Sequence, residues 1–129
     1  MIRKQSANEK RESRLSKARD GKKLYSTLPM KDAEARELVA FFVQEMRGHI
    51  EALQRGLDRL DFELLKTHAH QLRGAGGGYG FALVSEYGER LEMLIRCDCS
   101  VDEIVGAAEA LLDVCRRVSL GGVTLESEA

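Results

Sequence analysis

The chain has no tryptophan, a single proline (Pro29), few aromatics at 5%, and only three cysteines in 129 residues. Each scarcity excludes something. Little proline and almost no β-branched runs argue against an all-β architecture and favour helices. No apolar stretch approaches the ~20 residues needed to span a bilayer. Met1-Ile2-Arg3-Lys4-Gln5 offers no apolar segment of the secretory kind, which leads to the expectation of a cytoplasmic protein. An odd cysteine count in such a chain argues against a disulfide framework. Cys97-Asp98-Cys99 lacks the second Cys or His pair that a tetrahedral zinc site requires, so no metal and no cofactor are expected. What is present is an ordinary globular balance, 43% apolar and 32% charged, enough for one domain with a core.

Charge divides the chain. Residues 1–23 carry nine Lys/Arg against three Asp/Glu, a net of +6, and residues 24–129 carry a net of −7. Apart from Met1, Ile2 and Leu15 are the only large apolar side chains in the first segment, too few to offset its ordering entropy. Residues 1–27 are therefore expected to be a mobile basic extension, disordered or partly helical. Contact with nucleic acid or acidic lipid is disfavoured against a solvated extension that lies on its own acidic domain.

The folded unit is expected over residues 28–120, with 121–129 a frayed tail. A first helix begins near Leu28-Pro29 and runs to about Arg59, with Leu38, Phe41, Phe42, Met46, Ile50, Leu53, Leu57 and Leu60 at helical spacing. Asp61 caps a second, whose stripe is Phe62, Leu65, Ala69, Leu72, Gly76 and Tyr79. Gly74–Gly80 should loosen or end it. A third runs from about Phe81 to Ile95. Ser100, with Glu103 as its capping-box partner, starts a fourth that stops before Gly121-Gly122. Four amphipathic helices on short connections predict an all-α, antiparallel up-down-up-down four-helix bundle, with no strand-like alternation.

The chemistry concentrates in His68-Ala69-His70-Gln71-Leu72-Arg73-Gly74-Ala75-Gly76-Gly77-Gly78-Tyr79-Gly80. Helix residues turn by about 100° each, so His68 and His70 point roughly 200° apart and form no joint site. His70 lies off the core stripe, in line with Lys66, Arg73, Gly74 and Gly77. An imidazole is nucleophilic near neutral pH, Arg73 and Lys66 could hold a phosphoryl group placed on it, and Gly74 and Gly77 leave clearance for another protein. His68 and His49 are read as ordinary polar surface residues. Glycine costs a helix about 1 kcal/mol relative to alanine, so five glycines within seven positions ask for a reason. A nucleotide-binding loop is not that reason. These glycines follow a helix rather than a strand, and no Gly-Lys-Ser/Thr ending exists.

The segment resembles the histidine-containing phosphotransfer (HPt) domain family, whose signature His-x-Leu-Lys-Gly followed by small residues and a later glycine reads here as His70, Leu72, Arg73, Gly74, Ala75, Gly76, Gly77 and Gly80. Phe41-Phe42 with Glu45, Asp61-Phe62 and Leu91-Glu92 extend the resemblance over about residues 30–118. It implies that His70 accepts a phosphoryl group on Nε2 and that Arg73 takes the place of the family's lysine at the phosphoryl oxygens. It further implies that Gly74 admits the aspartate site of a receiver domain. The expected protein is a phosphorelay intermediate without kinase activity. It would be a monomer whose partners are a receiver domain or a hybrid sensor kinase, with neither membrane nor nucleic acid among them. The alternative is an interaction module that keeps the bundle without the transfer. Arg73 departs from the pattern: it keeps the charge but is bulkier and planar.

Overall fold

The computed structural model describes residues 22–29 and 32–119. The mobile extension expected over 1–27 falls largely outside these, as does the frayed tail, whereas the fourth helix ends at Arg116, before Gly121 as expected. Four helices dominate: α1 (Ala33–Arg59), α2 (Phe62–Gly78), α3 (Ala82–Arg96) and α4 (Val101–Arg116). Helix starts are set by short acceptors that satisfy otherwise orphaned N–H groups. Asp32 accepts from the Ala35 amide at 2.8 Å, Asp61 from Leu64 at 3.1 Å, and Ser100 from Glu103 at 3.2 Å. The Asp32 cap puts the start of α1 after Pro29 rather than at it. At Ser100 the hydroxyl also donates to the Glu103 carboxylate at 3.1 Å, a variant of the expected capping box. α1 ends where Leu60 turns left-handed (φ 51°), its amide reaching back to Gly56 and Leu57.

Each helix packs on two neighbours, α1 on α2, α2 on α3, α3 on α4 and α4 on α1, which closes the expected all-α four-helix bundle. Met46, Leu53, Leu65, Leu72, Leu91 and Leu111 are fully buried along its axis. The phase of α1 differs from the expectation at its start. Val39, Phe42, Val43 and Met46 face inward, whereas Leu38 and Phe41 are about half exposed, and Leu60 likewise beyond the helix end. The unbroken run Leu38–Val43 offers two adjacent helical phases, and apolar spacing alone cannot choose between them.

α2 passes through Gly74, Gly76 and Gly77 and ends at Gly78, within the glycine run expected to loosen or end it. The turn into α3 is anchored from α1, where the Phe42 ring stacks on Tyr79 (centroids 5.0 Å) and on Phe81 (5.3 Å). Two two-residue strands, β1 (Leu24–Tyr25) and β2 (Val118–Ser119), pair in parallel. They join the chain before α1 to the chain after α4. Strands this short show no period-two alternation, so the sequence pattern could not reveal them.

Candidate functional site

α2 presents His70 on its outer side, with its side chain 62% exposed. Two glycines set what stands next to it. A Cβ at Gly88 of α3 would come within 2.8 Å of the Ala69 carbonyl and 3.0 Å of the Arg73 amide. A Cβ at Gly76 would come within 2.8 Å of the Ser85 amide. Helices α2 and α3 therefore touch backbone to backbone on either side of Arg73, and the Ser85 hydroxyl donates to the Arg73 carbonyl at 2.7 Å. One turn beyond Gly88, this approach delivers Glu92 to the foot of His70.

Glu92 is 1% exposed and carries three partners. His70 Nδ1 lies 2.9 Å from Oε2, Arg73 Nη1 donates to Oε1 at 2.8 Å, and Arg96 Nη2 lies 2.9 Å from Oε2. Burial pushes the Glu92 carboxyl up. Hydrogen bonds from Arg73 and His70, with the nearby charge of Arg96, outweigh that and hold it below the usual carboxylate range. An ionised carboxylate only accepts, so Nδ1 of His70 carries the proton. In the neutral form of the ring, Nε2 then keeps its lone pair, on a side chain that is 62% exposed. The arrangement is an exposed imidazole oriented by a buried carboxylate, with two guanidinium groups beside it.

The remaining expected residues fall into two groups. A Cβ at Gly74 would meet nothing within 4 Å, and one at Gly77 would meet only Ser85, at 3.8 Å and beyond. Both are open positions on the exposed surface of α2. Lys66 instead pairs one turn back with Glu63, at 3.5 Å. Arg73 is 44% exposed and bound to Glu92, within one helical turn of His70.

Sequence reasoning missed Glu92 as a site residue. The signal was there: an acid at a core position of α3, whose buried line is Val84, Tyr87, Gly88, Leu91 and Glu92, with Arg96 one turn on. It also misread His49 and His68. They are not separate surface residues, because their Nδ1 atoms meet at 2.9 Å between α1 and α2.

Among the described residues no three His, Cys, Asp or Glu side chains come together as a metal site. No described helix is long and apolar enough to cross a membrane. The three thiols are free, and burial pushes that of Cys115 up to about 12, which leaves it inert at neutral pH. Compared with known families, the chain matches the model of the Hpt domain over residues 37–121. No curated protein and no solved structure matches it.

Proposed function

Since the chain belongs to the Hpt domain family, whose members relay phosphoryl groups on a histidine and are not kinases, we propose that His70 is the phosphoryl acceptor of a phosphorelay intermediate. The donor or recipient is the aspartate of a receiver domain, free-standing or part of a hybrid sensor kinase. The observation that carries this reading is the hydrogen bond from His70 Nδ1–H to a buried, ionised Glu92, which directs the Nε2 lone pair outward.

In the forward step the Nε2 lone pair attacks phosphorus. An N–P bond forms as the P–O bond to the donor aspartate breaks, and that carboxylate leaves with the electron pair. Positive charge builds on the ring, and the Glu92 carboxylate stabilises it as the triad aspartate stabilises an imidazolium. Arg73 can turn from Glu92 towards the phosphoryl oxygens, where a guanidinium makes charge-assisted, forked hydrogen bonds. Return to an aspartate reverses the step. Gly74 and Gly77 give the receiver domain room to bring its aspartate within reach of Nε2. The work is done without any cofactor, in the cytoplasm, by a monomer.

The test offers the protein a phosphorylated receiver domain or an active sensor kinase. Wild type is expected to take up an acid-labile, base-stable label, His70→Gln none, and His68→Gln a nearly normal amount. Equal labelling of wild type and His70→Gln would overturn the assignment. Absence of label from every donor of the same organism would favour a module that binds receiver domains without transfer.

A further inference from the structure

His49 and His68 lie on the α1–α2 seam, away from the Glu92 cluster and unused by the transfer described above. Their Nδ1 atoms are 2.9 Å apart. The ring centroids are 5.1 Å apart with planes at 77°. That separation is about the Nδ1···Nδ1 distance plus one ring radius on each side, so the nitrogens point at one another. A metal ion held by both would need ring axes that converge on a third point. Opposed axes suit a single proton lying between two nitrogens. One ring is therefore the Nδ1–H tautomer and donates, while the other accepts.

We propose that His49 and His68 form a proton-sharing latch between α1 and α2 that holds with no added proton or with one, and releases when both rings are charged. A first proton adds at the outer nitrogen of the donor ring and makes the shared hydrogen bond charge-assisted. A second must add at the acceptor's Nδ1. It then sets two N–H groups and two positive charges head to head at hydrogen-bond distance, in a half-buried seam. The seam must open, and it opens on the helix that carries His70 two residues further on.

The surroundings act in the same direction. Burial lowers the tendency of both rings to charge. His49 is further lowered by His68 and partly restored by Glu45, and His68 is further lowered by Arg55. Glu45 and Arg55 both lie on α1. No charged group of α2, α3 or α4, apart from the partner ring, shifts either histidine. The folded chain therefore binds fewer protons here than the unfolded chain does. Stability is fully present above the unfolded histidine value of about 6.5 and declines as pH falls below it through the folded values.

The experiment follows the histidine ring protons by NMR from pH 8 to 5 on the full chain, with His70 assigned through His70→Gln. Urea unfolding is measured at the same pH values for wild type and for the His49→Gln/His68→Gln double variant. Glutamine keeps a hydrogen bond across the seam but does not titrate. The expected result is two coupled steps for the pair, the second well below 6.5, and an exchange-protected Nδ1–H at neutral pH. The wild-type unfolding constant should rise relative to the double variant by up to about tenfold per pH unit below ~6.5. Independent titration of both rings near 6.5 would overturn the latch, as would parallel acid limbs for the two proteins. The ring titration uses wild type, so it decides even if the double variant does not fold.

Discussion

At the scale of single residues, the His70 site is organised by a residue that never meets solvent. Glu92 is buried and yet ionised, because His70, Arg73 and Arg96 all turn their donors on it. Replacing it by Gln keeps the size and removes the charge. The amide can offer its oxygen to His70 or to an arginine, but it no longer stabilises charge on the ring. In Glu92→Gln, transfer to and from a receiver domain is expected to slow roughly ten- to a hundredfold, the effect that carboxylate partners of imidazoles have at metal sites. The Nδ1–H tautomer of His70, read by 15N NMR, should be less populated. Loss of rate with an unchanged tautomer would mean that Glu92 acts through the arginines instead.

At the scale of elements, the glycines of α2 and α3 serve different ends, which helix phase in the sequence separates only in part. Gly88→Ala would push a methyl into the backbone of Ala69 and Arg73. A cost of about 1–3 kcal/mol is expected in urea unfolding, because backbone cannot move aside as a flexible side-chain end can. Gly74→Ala meets open space. It should leave stability unchanged or raise it by up to about 1 kcal/mol through helix propensity, while transfer slows if a receiver domain uses that clearance. A Gly74→Ala protein that transfers at the wild-type rate would show that the clearance is not needed. The same contrast marks what the sequence could tell. The α2 stripe, the caps at Asp61 and Ser100, and the outward phase of His70 follow from periodicity and capping chemistry. Glu92 could be marked as an acid at a core position of α3, but neither its partner His70 nor the close packing at Gly88 was legible, because both depend on how closely α3 approaches α2. That distance is a tertiary quantity, absent from any one helix. For the same reason His49 and His68, nineteen positions apart, read as unrelated surface residues until α1 and α2 are laid together.

At the scale of the whole molecule, the bundle is closed by a segment that belongs to none of its helices. Leu24–Tyr25 pairs with Val118–Ser119, and the chain then crosses the α2–α3 turn. There the Thr27 amide donates to the Gly80 carbonyl at 2.9 Å, and the Ser26 hydroxyl donates to the Tyr79 carbonyl at 2.6 Å. The segment before α1 thus ties the strand after α4 to the α2–α3 turn, and it lies against Gly80 at Ser26–Leu28. Gly80 has φ 84°, and a Cβ there would come within 2.8 Å of the Thr27 amide and 2.9 Å of the Leu28 amide. Gly80→Ala therefore combines left-handed strain with a backbone clash, and should cost about 2 kcal/mol or more in urea unfolding. Because Gly80 ends the turn that follows α2, the damage should spread along the strap to β2 and appear as faster amide exchange at Thr27 and Leu24, whose N–H groups bond Gly80 and Arg117. Exchange that quickens only within residues 78–82 would instead show the strap to be held by β1 and β2 alone, with the turn a local feature.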